Sequence, residues 1–132
     1  MKIPIVTLDK PNKNNRIYPR AVMEKALEKY KKEFIDEKRA FVQKKIPETT
    51  MVNLLDCIGI VKEVIIEGNE VLMDVEFFPN VPEGLMTEVA ITGGHLHLRT
   101  HGMGSMHLQH DGTYIVGDDY EFISCFVTND PA

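Results

Sequence analysis

The sequence predicts an α+β protein: a small, partly closed antiparallel β-barrel flanked by two helices. Three observations carry this expectation. Residues 57 to 66 and 71 to 78 form two β-prone runs on either side of the turn Glu67-Gly68-Asn69-Glu70, the second with one apolar and one mostly polar face. Ala21, Val22, Ala26, Leu27 and Tyr30 recur at helical spacing, and a second apolar run, Leu85 to Ile91, lies between Pro82 and Gly93-Gly94. A chain of 132 residues with 43% hydrophobic content can build one compact core, and the expectation is a single domain spanning residues 1–132.

Taken in order, Ile3 to Leu8 reads as a strand. Pro11 and the asparagines Asn12, Asn14 and Asn15 supply turn chemistry, and Pro19 sits where a helix can begin. The opening is therefore strand, tight polar loop, helix. Next comes a hairpin: Cys57 to Ile66 and Val71 to Phe78 flank the turn Glu67-Gly68-Asn69-Glu70. In its second strand Val71, Met73, Val75 and Phe77 share one face while Glu70, Leu72, Asp74 and Glu76 share the other, so one side is buried and the other mostly wet. Asn80-Val81-Pro82-Glu83 reads as a helix start, and Gly93-Gly94 as its stop. Strands around His95 to His101 and Met106 to His110 follow, then the turn Asp111-Gly112 and a last strand from Tyr120 to Thr128.

Composition excludes several classes. No apolar run approaches the roughly 18 residues that cross a bilayer. The opening residues lack a signal-peptide pattern, because Lys2 is followed by Pro4 and soon by Asp9 and Lys10. Cys57 and Cys125 lie in apolar, strand-like surroundings and read as two reduced thiols in a cytosolic product.

Charge divides the chain. Residues 1–50 carry 13 Lys/Arg against 7 Asp/Glu, a net +6, whereas residues 51–132 carry 2 against 13, a net −11; together they give the −5 of the whole. Lys29, Lys31, Lys32, Lys38 and Arg39 read either as the solvated face of one helix or as a basic surface that meets an acidic neighbour, with Lys31, Lys32 and Lys38 as its binding residues. Nucleic acid is the weaker partner. The acidic majority repels phosphates, and the basic cluster lacks interleaved aromatics for base stacking.

The segment Asn12-Lys13-Asn14-Asn15-Arg16-Ile17-Tyr18-Pro19, with the helix through Tyr30, resembles the opening of the prohead maturation proteases of tailed bacteriophages. Weaker similarity runs through Pro47-Glu48-Thr49, Gly102-Met103-Gly104-Ser105, Asp118-Asp119-Tyr120-Glu121 and Asn129-Asp130-Pro131-Ala132. The resemblance implies a serine-protease fold of barrel type, oligomerisation and contact with capsid precursors. It fails at the catalytic positions. Where the family carries a His general base, this chain reads Gln43-Lys44-Lys45-Ile46-Pro47-Glu48, with Ile46 at the His position. Where the family carries a serine pair, it reads Arg99-Thr100-His101-Gly102-Met103-Gly104-Ser105, and Phe126 stands at the position of an acid. Serine hydrolysis needs a nucleophile, a base that takes its proton and a group that orients the base. The reading is thus a fold kept without its chemistry.

All five histidines fall between residues 95 and 110. By strand alternation His95, His97, Arg99 and His101 share one face, with His107 and His110 on the next strand. The cluster can be a pH-responsive interface, a metal site or plain solvent-facing residues; no carboxylate or cysteine ligand interleaves it, so neither metal nor any other cofactor is assigned. For an active enzyme the candidates are Thr100 as nucleophile with His107 or His110 as base, since His101 points away from Thr100 on a regular strand.

The sequence thus reads as an inactive relative of the prohead proteases that serves as a structural or assembly subunit of a phage particle. Its partners would be other virion or capsid proteins and further copies of itself, without membrane. Its places would be the virion and, during assembly, the host cytoplasm. The alternatives are an active maturation protease with a rearranged site and a phage-encoded binding protein that uses the former cleft for a small ligand or host factor.

Overall fold

The computed structural model describes residues 1–46 and 53–129; the similarities at 47–49 and 130–132 lie outside them. The elements run β1 (Lys2–Thr7), β2 (Arg16–Ile17), α1 (Arg20–Tyr30), a π-helical turn (Lys31–Ile35), β3 (Phe41–Gln43), a 3₁₀ turn (Leu54–Asp56), β4 (Cys57–Glu67), β5 (Glu70–Phe77), α2 (Pro82–Thr92), β6 (His97–Met103), β7 (Met106–Leu108), β8 (Tyr114–Val116) and β9 (Glu121–Thr128). Six strands form one sheet in the order β1-β5-β4-β3-β9-β6, and β2-β8-β7 form a second. The edge strands β1 and β6 meet, which curls the large sheet nearly into a barrel. The two helices and the nearly closed barrel follow the sequence expectation.

One part of that expectation is corrected: the sheets are mixed. β3 runs parallel to β9 and β2 parallel to β8, although the remaining pairings are antiparallel. Strands of two or three residues show no period of their own, so neither β2, β3 nor β8 is legible as a strand in the sequence.

The hairpin forms as the alternation requires. Val71, Met73, Val75 and Phe77 are buried, and Gly68 takes the left-handed φ of 58° that its turn demands. α1 buries Val22, Met23, Ala26, Leu27 and Tyr30. Each such apolar side chain contributes roughly 1.5 to 3 kcal/mol on leaving water. Tyr30 reaches β9, meeting the Phe122 ring edge-on at 4.5 Å between centroids. The polar loop ahead of α1 closes on itself. Asn12 Oδ1 accepts the backbone N–H groups of Asn14 and Arg16 at 2.9 and 3.0 Å, and Asp9 Oδ1 accepts that of Arg20 at 3.0 Å. Asp9 thereby satisfies one of the orphan donors at the start of the helix, which Pro19 itself cannot do.

Candidate functional site

The tight polar loop, β6 and β9 enclose a cavity of about 530 Å³. Arg16 and Tyr18 enter from the loop, the run Arg99 to Met106 comes from β6 and its turn, and Val116, Tyr120 and Phe126 come from β8 and β9. Ile46 stands at the rim. Ile46, Thr100 and Phe126, which the resemblance sets opposite the family's base, nucleophile and acid, thus line one space.

The wall is shaped by Tyr120. Its ring packs edge-on against Tyr18, with centroids 5.7 Å apart, and β6 passes directly over it. A Cβ on Gly102 would overlap the Tyr120 phenol, and one on Gly104 would stand 2.7 Å from the Tyr120 Cα, so only glycine lets the strand pass so close. The Tyr120 Oη is buried and completes no hydrogen bond among the described residues, although the Thr100 hydroxyl is a neighbour. Burial raises the phenol well above its ordinary pKa, Tyr18 adds to the shift, and Thr100 and the Arg16 charge oppose it. His101 Nδ1 is likewise buried without a partner, and burial lowers the imidazole below its usual range. An unmade hydrogen bond of this kind costs about 1 to 3 kcal/mol.

Behind this wall lies a polar pair that sequence reasoning passed over. Gln43 and Ser124 are each 1% exposed, with Gln43 Nε2 donating to Ser124 Oγ at 3.4 Å and Gln43 Oε1 accepting the Asn53 N–H at 3.2 Å. The pair ties β3 to β9, and Gln43 also joins β3 to Asn53.

The histidines do not gather as their spacing suggests. β6 starts at His97, and His95 remains with the end of α2, where the Ala90 carbonyl accepts the N–H groups of both His95 and Leu96. Gly94, at φ 79°, makes that helix ending possible, and it consumes the residues that would otherwise extend the strand. His97, Arg99 and His101 do alternate along β6, opposite Thr128, Phe126 and Ser124. Neither His107 nor His110 lines the cavity: His107 lies on exposed β7 and His110 in the exposed turn after it. The structure therefore does not bring either base candidate to Thr100. Among the described residues, no group of three or more His, Cys, Asp or Glu is placed to hold a metal ion.

Ile46 is corrected as well. An isoleucine in the cleft is expected to pack there, yet it is 66% exposed. Phe126, by contrast, is buried at 5%.

Ser105, His107 and Asp119 gather around Gly117, whose missing side chain leaves room for Ser105 Oγ, with Asp119 Oδ1 at 3.1 Å and His107 Nε2 at 3.3 Å from where a Cβ would sit. The order is wrong for a triad. Asp119, not the imidazole, accepts the Ser105 hydroxyl at 2.8 Å and the Ser105 N–H at 2.9 Å. The Ser105 N–H, then its hydroxyl, hold the Asp119 carboxyl below the usual range, which makes it a poor base. This is a clamp between the turns after β6 and β8.

The basic residues sit on the far end of α1. Lys31 and Lys32 occupy the π-helical turn, 60% and 71% exposed, and pair locally with Asp36 at 3.9 Å and Glu28 at 3.3 Å. Lys38 lies beyond the helix in a left-handed turn at φ 57°. Cys57 and Cys125 are free thiols; burial pushes them up to about 11 and about 12, with Asp56 contributing at Cys57.

A strand-loop-helix opening, a nearly closed barrel and a cleft between them define an α+β protein of barrel type. The profile of the family described as prohead core protein serine protease matches residues 5–128, and the chain belongs to that family. Among solved structures the chain is similar to the bacteriophage T4 capsid assembly protease, at a TM-score of 0.83 and 21% identity over 96% of this chain and 80% of that one. A search of curated proteins gives no match.

Proposed function

We propose that this protein is a non-catalytic assembly or structural subunit of a phage particle, a single domain built on the prohead-protease fold. One observation supports the reading: Ile46, Thr100 and Phe126, which the resemblance sets opposite base, nucleophile and acid, line one cavity, and no hydrogen bond among the described residues joins Thr100 to an imidazole. A threonine hydroxyl without a base to take its proton is a poor nucleophile. The similarity to a capsid assembly protease makes capsid or other virion proteins the natural partners, and self-association the natural mode. The virion, and the host cytoplasm during assembly, are then the places to look for it. The basic end of α1 and the acidic remainder of the chain give such contacts complementary charge.

The rival reading, an active protease with a rearranged site, draws on family membership and on the presence of the Thr100 hydroxyl and His101 in one cavity. Reaction with a fluorophosphonate probe separates the two. The proposal expects none, together with stoichiometric recovery of the intact chain from purified particles. Labelling abolished by Thr100→Ala would overturn it.

A further inference from the structure

α2 turns its apolar side outward. Its buried residues are Gly84 and Thr87, whereas Leu85, Met86 and Val89 are 46%, 72% and 73% exposed. With Pro82, also exposed, they stand at positions i, i+3, i+4 and i+7, the stripe by which an amphipathic helix ordinarily meets its core. Gly84 fixes this orientation. A Cβ there would stand 2.8 Å from the Ile58 carbonyl oxygen, so only the glycine side of the helix can come this close to β4. The surroundings are acidic as well. Residues 63–98, which hold α2 and most of the hairpin it packs against, carry 7 Asp/Glu and no Lys or Arg, and Lys62 is paired with Glu76 at 3.3 Å.

We infer that α2 docks a basic amphipathic helix of a different protein, whose apolar face covers Leu85, Met86 and Val89 and whose lysines or arginines answer Glu83 and Glu88. The inference rests on the assembly reading for the existence of a protein partner and adds the face and the chemistry of the contact. Helices that seat on another protein use this spacing of anchors, and complementary charge around an apolar stripe fixes their register. A second copy is a poorer occupant. Two α2 helices laid face to face would bring acids together with no lysine or arginine to offset them. The basic helix α1 buries its own apolar side, and between Ala21 and Tyr30 its exposed side holds only Ala21 besides charged residues. A membrane surface fits no better, since anionic headgroups would meet the same acids.

Two fluorescein-labelled peptides of about 20 residues, long enough to hold a helix, serve as probes with the full chain. One carries Leu at i, i+3, i+4 and i+7 spacing with Lys elsewhere; the other has the same residues in an order without period. Fluorescence anisotropy should show saturable binding of the periodic peptide, with the aperiodic one at least about tenfold weaker. Met86→Ser with Val89→Ser keeps the net charge and should weaken the periodic peptide about tenfold or more. Both side chains are exposed, so the melting temperature should hardly move. Glu83→Gln with Glu88→Gln should weaken binding too and flatten its salt dependence. No binding of the periodic peptide, equal binding of the two peptides, or full affinity in both double variants would overturn the inference. So would a dimer of the parent chain in sedimentation that the serine variant dissolves, which would give the face to a second copy, or binding to phosphatidylglycerol vesicles that the same variant loses. Particles play no part in these readouts, so the assembly reading could fail on virion composition with peptide binding intact, or the reverse.

Discussion

Gly102 and Tyr120 are fitted to each other: a methyl group on residue 102 would overlap the Tyr120 hydroxyl and lie 2.7 Å from the Glu121 carbonyl oxygen. β6 and the turn that leads into β9 can approach only because one side chain is absent. The cavity wall depends on that approach.

Gly102→Ala should therefore destabilise the fold by about 1 to 3 kcal/mol, the usual penalty for overpacking. Adding Tyr120→Phe should recover only part of the loss, since the Glu121 carbonyl still obstructs the new methyl. Urea midpoints of the single and double variants measure both effects. A Gly102→Ala protein as stable as the parent would show that the β6 backbone can retreat from Tyr120.

Ile46→His alone should not produce proteolysis, because Ser105, which also lines the cavity, gives its hydroxyl to Asp119 and not to a base. Incubation with a capsid precursor, followed by mass spectrometry, is the measurement. Cleavage by this single variant would identify a nucleophile elsewhere in the cleft and would remove the non-catalytic reading.

Reversing Lys31, Lys32 and Lys38 to Glu should weaken incorporation into particles and hardly move the melting temperature. These side chains are exposed, and their local pairs are worth only about 0 to 1 kcal/mol each. High salt should mimic the variant in the parent protein. Incorporation that ignores both the substitutions and the salt would make this a solvated surface without a partner.

His101 should make the protein less stable in mild acid. Burial lowers its folded-state pKa, so between that value and the ordinary 6.5 the unfolded chain binds the proton more readily. Its contribution is fully present above pH 6.5 and is lost as the pH falls through the lowered folded value. Stability measured from pH 7.5 to 5 should decline more steeply in the parent than in His101→Gln. Equal slopes would mean that His101 does not titrate differently on folding.

How much of this was legible depended on the length of the signal. The hairpin from β4 to β5 shows eight residues of strict alternation in its second strand, and its buried face is as the pattern requires. β3 has three residues and takes its place from its neighbours: it is parallel to β9 because of the route the chain takes after α1, which local sequence does not encode. His95 was placed on a strand because alternation was extended through residues that the end of α2 claims by hydrogen bonding. The resemblance sets Ile46 at the cleft, and it does line the cavity, but its packing there is not legible from one residue: its side chain stays exposed. Arg16 and Tyr18 belong to the segment that carries the family resemblance; that they also line the cavity follows from β2 pairing with β8, far along the sequence.

The position of β9 between β3 and β6 has a consequence during translation. While the ribosome is still making residues 121–128, the strand that bridges these two has not emerged, and both leave a row of backbone donors and acceptors without partners. The nascent chain can form the β4 to β5 hairpin early, because its pairing is local, but it must wait for β9 to join its two halves. A chain caught before β9 docks would therefore present two unpaired strand edges, each a template for pairing with another unfinished copy.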